Sequence, residues 1–212
     1  MSFSGFSHGS QTVTATLSGP NAALVKNVSA GGFSTIVNGG PSFETYCVDL
    51  YQTISFGAPP YPEYAFVGLG HLFTNANAYA DLGRLYATVG SVNNATTEAA
   101  FQIAVWEIAY EATGTAYNLA SGAATFTGGT ALSSGALAST WLLNLASSGP
   151  AIGVLESRLH QDVIYAPVPE PSMVLLMAGG LLGVTVAARK KAGQSPDDPA
   201  AVGFMARCRR ET

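Results

Sequence analysis

The sequence predicts an α+β protein: a β-rich, sandwich- or barrel-like domain with a small helical insertion, followed by a C-terminal transmembrane helix. Three observations point to this class. From Gln11 to Gly57 the chain alternates apolar and polar residues between Gly-rich turns, the pattern of half-buried strands. Between Ala76 and Ala112 the apolar period changes to three and four, the spacing of a helix face. Met173 to Ala188 is an uncharged run of apolar and small residues with Thr185 as its one polar side chain, which suits lipid better than a small aqueous core.

Taken in order, Gln11 to Leu17 alternates so that Val13, Ala15 and Leu17 face inward. Ala23 to Ser29 and Gly32 to Val37 are further strands, separated at Gly31-Gly32 and ended by Asn38-Gly39-Gly40-Pro41, so a meander is expected. Ser42 to Leu50 is a strand with Cys47 near its end, and Gln52 to Gly57 is one more. Leu82, Leu85, Tyr86 and Val89 mark a helix over Ala76–Val89, closed by Gly90. Asn93 to Glu98 is a helix start, with Asn or Thr as N-cap and Glu98 in the first turn, where a negative charge complements the helix dipole. The helix that follows, Thr97 to Ala112, is apolar all round from Ala99 to Trp106 except for Gln102, so it belongs inside the domain and Gln102 must find buried partners. A long Gly/Ala/Thr-rich loop follows Gly114. Leu137, Trp141, Leu142 and Leu145 share a helix face over Gly135–Ala146, and Ala151 to Ala166 returns to strand character.

Composition narrows the function. Up to Val168 there are three basic residues, Lys26, Arg84 and Arg158, against nine acidic ones, a net charge of about −6, which excludes nucleic acid as a partner. Charged residues are only 10% of the chain, which leaves a neutral Ser/Thr/Asn/Gly-rich surface of the kind exported β proteins carry. His8, His71 and His160 are scattered without ligand spacing, so structural or solvated roles are expected and no metal or cofactor. Glu107 and Glu111, four apart, are expected on a solvated helix face. No nucleophile and base can be assembled, so an enzyme is not expected.

As a helix, Met173–Ala188 spans roughly 24 Å against a hydrocarbon core of about 30 Å. Arg189, Lys190 and Lys191 follow it; their stems snorkel and their charges stay on the cytoplasmic side, placing the domain outside. Pro167, Pro169 and Pro171 hold an extended linker upstream. Pro169-Glu170-Pro171, the short apolar helix and the basic cluster together resemble the PEP-CTERM sorting signal of Gram-negative exported proteins. The resemblance implies that an exosortase recognises the segment at the inner membrane, removes the tail and delivers the protein to the cell surface or extracellular matrix. Three parts are thus expected: a domain at 1–166, a sorting signal at 167–191 containing the membrane helix 173–188, and a disordered cytoplasmic extension at 192–212. Such a protein needs an export signal, and Met1 to His8 has neither a basic nor an apolar region of that kind, so the true start is expected upstream.

The two cysteines, Cys47 and Cys208, flank the membrane run and are not partners, which leaves Cys47 alone in an exported domain. As a lone thiol it reads as a small buried hydrophobe. Tyr46-Cys47-Val48-Asp49 on a strand, with Phe101-Gln102-Ile103-Ala104-Val105-Trp106 on a buried helix, also resembles the thioester domains of bacterial surface adhesins. That resemblance implies an internal thioester in which the Cys47 sulfur replaces the Gln102 side-chain ammonia, able to capture surface amines and so to act in adhesion. A non-covalent structural or exopolysaccharide-binding module, with Tyr61, Tyr64, Phe66 and Trp141 as stacking residues, is the other reading.

Overall fold

The alternation that marks Gln11–Leu17 is realised as a strand with Val13, Ala15 and Leu17 buried and the threonines between them turned outward. The computed structural model describes residues 1–18, 23–67, 70–127 and 131–166. The sorting signal at 167–191, with the membrane helix expected at 173–188, and the expected extension at 192–212 lie outside the described residues. Within these limits the strands are β1 (Ser2–Phe6), β2 (Gln11–Leu17), β3 (Leu24–Ala30), β4 (Phe33–Ile36), β5 (Ser42–Cys47), β6 (Ala65–Phe66), β7 (Ala124–Thr127), β8 (Gly153–Glu156) and β9 (Val163–Tyr165). The helices are α1 (Ala78–Val89), α2 (Ala95–Tyr110) and α3 (Ala131–Leu143). No described helix is long and apolar enough to cross a membrane.

The α+β class holds, and the described sheets are open rather than closed into a barrel. One has six strands in the order β1-β4-β5-β9-β8-β6 and the other three in the order β3-β2-β7. Their described pairings are antiparallel. The expected meander breaks at Gly31-Gly32: β2 and β3 pair in the smaller sheet, whereas β4 and β5 pair in the larger. Glycine is required at this crossing, because a Cβ on Gly32 would lie 2.7 Å from a carboxylate oxygen of Glu98 and 2.9 Å from the Tyr46 ring.

Elsewhere two expectations change, one strand is added and one expectation holds. Gln52–Gly57 is irregular, held instead by Tyr61, whose hydroxyl donates to the Ser55 carbonyl and accepts from its N–H. The N-terminal segment forms β1, pairing with β4 through a register shift between Phe3 and Gly5. The loop after Gly114 contains β7, whose Phe126 stacks on Trp106 at 6.0 Å. Ala151–Ala166 is a pair of strands, β8 and β9, joined in register.

Helix α2 is the centre of this arrangement. Asn94 caps it, accepting from the N–H groups of Thr96 and Thr97 while Thr97 returns a bond to the Asn94 backbone. It packs against β5 of the larger sheet, against β2, β3 and β7 of the smaller one, and against α1 and α3. Twelve of its residues, Glu98 to Ala109, are buried. The described residues belong to a compact unit, Met1–Pro167.

Candidate functional site

The last residue of β5, Cys47, lies against the second turn of α2. β4 pairs β5 only as far as Thr45, so beyond that point the β5 backbone needs another partner on that edge. Gln102 supplies it. Its Oε1 accepts the Cys47 N–H at 2.9 Å and its Nε2 donates to the Cys47 carbonyl at 2.8 Å, so the side-chain amide continues the ladder for one residue. Both residues are buried, Cys47 at 1% and Gln102 at 0% exposure. The Cys47 thiol donates to the Asp49 carbonyl at 3.0 Å. Burial pushes it up to about 12, partly opposed by the Trp106 indole. Cys47 also lines a cavity of about 300 Å³ shared with Phe6, Lys26, Phe56 and Trp106. The structure therefore brings together Cys47 and Gln102, the two residues singled out from the sequence.

One turn before Gln102, Glu98 makes a second cluster. Its carboxylate is fully buried: Oε2 accepts from the Gly32 N–H at 3.0 Å and the Tyr46 hydroxyl at 2.9 Å, and Oε1 lies 2.6 Å from His8 Nδ1. Glu44 stands beside it, with Oε1 3.7 Å from the same imidazole nitrogen. The Glu98 hydrogen bond raises the His8 imidazolium above its ordinary value. Burial, with Glu98 alongside, raises Glu44 to about 7. Sequence reasoning missed this group because Glu98 explains itself as a first-turn acid. The available signal was Gly31-Gly32, a pair of small residues where a buried polar group could approach.

The other histidines also meet carboxylates. His71 Nδ1 lies 2.5 Å from Glu156 Oε1 and 3.7 Å from Asp162 Oδ2, and His160 Nδ1 lies 2.6 Å from Glu63 Oε1. Glu107 and Glu111 correct the sequence reading: neither is on a solvated face, at 0% and 1% exposure. Segment 112–123 folds over them, and Glu107 accepts the Asn118 N–H at 2.7 Å while Glu111 accepts the Ala123 N–H at 3.2 Å. Of the four aromatic residues considered for stacking, Tyr61 and Tyr64 stand together, with ring centroids 6.2 Å apart. Tyr61 is buried against Phe3 and His160, Tyr64 and Trp141 are partly buried against the core, and Phe66 is exposed.

The α+β domain with its free buried cysteine is followed in the sequence by a proline-rich segment and a basic cluster, the layout of a protein that carries a separate delivery signal. The particular signal is the PEP-CTERM protein-sorting motif, which matches residues 167–191 and includes Pro169, Glu170, Pro171, Arg189, Lys190 and Lys191. The motif marks the chain as an exosortase substrate and implies export to the cell surface or the extracellular space. No curated protein and no solved structure matches the chain.

Proposed function

We propose that the chain is an adhesive surface protein that, once sorted by exosortase, attaches itself covalently through a Cys47–Gln102 thioester. The observation that carries this reading is the double hydrogen bond between the Gln102 amide and the Cys47 backbone, which fixes the amide beside the residue that bears the thiol, next to a cavity that Cys47 lines. In the step, Cys47 Sγ attacks Gln102 Cδ. The C–N bond breaks, and Nε2 leaves as ammonia with the thiol proton. Charge developing on Oε1 meets the Cys47 N–H that already donates to it. An amine entering the cavity then attacks the thioester carbon, forms an amide and returns Cys47 as a thiol. Proximity on neighbouring elements would have to replace the activation that a raised thiol lacks, through the effective molarity of a pair held side by side.

Intact mass tests this on the purified chain beside Cys47→Ala. The parent is expected to be lighter than its calculated mass by one ammonia and to add methylamine, and the variant to do neither. A parent of calculated mass with a titratable Cys47 thiol would sink the reading. A second reading, a non-covalent surface module, would then stand, favoured by the thiol held near 12 and by an amide whose oxygen and nitrogen both already have partners.

A further inference from the structure

We propose that His8, Glu44 and Glu98 form a binding site for a divalent transition-metal cation of the zinc class. The β1–β2 connection brings His8, β5 brings Glu44 and the first turn of α2 brings Glu98, and their ligand atoms all lie within 4.8 Å of one another. Convergence of three separate elements on one point is the first argument. Glu98 is the second: it is fully buried, and the Gly32 N–H and Tyr46 hydroxyl fix one of its oxygens so that the other is aimed at His8. Outer hydrogen bonds of this kind orient a carboxylate for a metal.

Glu44 supplies the third. Its Oε1 is buried and accepts no hydrogen bond among the described residues, while it faces His8 Nδ1 at 3.7 Å, which leaves it able to take a cation as partner. Charge points the same way. Two carboxylates face one imidazole, and among the described residues no lysine or arginine forms an ion pair with either of them. With both carboxylates ionised the group carries more negative charge than one imidazolium offsets, and a divalent ion would favour that state.

Donor chemistry selects the class. One imidazole nitrogen with two carboxylate oxygens suits zinc and its first-row neighbours, whereas calcium takes six or more oxygens. Three protein ligands leave a coordination position on the side of His8, whose side chain is 46% exposed, so an ion can enter from solvent. Bound there, it would tie the β1–β2 connection and β5 to α2 one turn before Gln102. This inference is independent of the thioester.

The test uses the full chain stripped with EDTA and titrated with zinc chloride by calorimetry. His71 also stands beside two carboxylates, so all arms carry His71→Ala. The His71→Ala chain is expected to bind one equivalent of zinc more than the His8→Ala/His71→Ala chain, and to gain thermal stability from zinc but not from calcium chloride. Glu44→Gln, which keeps shape and removes charge, is expected to weaken zinc at least about tenfold in that background. Equal zinc binding with and without His8, or with Glu44→Gln unchanged, would overturn the site, as would no zinc binding at all. His8 is half exposed and Glu44→Gln is isosteric, so the result does not hang on one variant's folding.

Discussion

Gln102 satisfies two backbone groups that no strand reaches, and its removal therefore has a calculable consequence. Gln102→Ala leaves the Cys47 N–H and carbonyl buried without partners, each at about 1–3 kcal/mol. A loss on the order of 2–4 kcal/mol is expected, read as a lower urea midpoint, and an unchanged midpoint would mean that water or another residue takes the amide's place. A loss of that size would unfold part of the chain whether or not a thioester forms, which is why Cys47→Ala is the cleaner probe of the proposed bond. The pairing of these two residues was legible in the sequence because the lone amide of an apolar helix must find a buried partner, and because the motifs around Cys47 and Gln102 together resemble those of thioester domains. The partnership of Glu98 with His8 was not. It joins residues ninety positions apart through a chain crossing at Gly31-Gly32 that no local pattern announces.

Helix α2 shows where a correct element still leads to a wrong face. Its apolar composition called for burial on all sides, and it is buried on all sides, including at Glu107 and Glu111. Four-residue spacing suggested a solvated stripe, but the segment from Ala112 to Ala123 covers that stripe and supplies N–H donors to both carboxylates. The same element carries a pH dependence. Burial, partly offset by the Asn118 N–H, raises Glu107 from 4.5 to about 7. The native state therefore holds this proton more tightly than the unfolded chain does. The stabilisation is complete below about pH 4.5 and is lost as the pH rises through 7. Thermal unfolding midpoints are expected to fall between these values, by an amount corresponding to on the order of 3 kcal/mol at most. Glu107→Gln should flatten that part of the profile, and a variant with the parent's slope would assign the effect elsewhere.

At the scale of the molecule, local strands were readable and their partners were not. β2, β3, β4 and β5 sit where alternation put them, yet they divide between two sheets, because the crossing at Gly31-Gly32 depends on the fit of Glu98 and Tyr46 against a backbone without side chains. β1 and β7 were hidden for a different reason: Gly5 interrupts one and the other is four residues long inside a Gly/Ala/Thr-rich stretch. The sorting motif was legible in full because it is a linear signal, read by an enzyme from adjacent residues. That contrast makes delivery and folding separable. In a host with exosortase, an epitope tag placed after Thr212 is expected to be lost from the surface form of the parent chain. With Pro169→Ala and Glu170→Ala together, the tag should stay on the protein and the protein should stay with the inner membrane. Since Cys47, Gln102 and the core of α2 all lie within Met1–Pro167, the urea midpoint of the variant should equal that of the parent. A tag retained on the parent at the surface would show that the motif is not cleaved, and a lowered midpoint in the variant would show that the signal contributes to the fold.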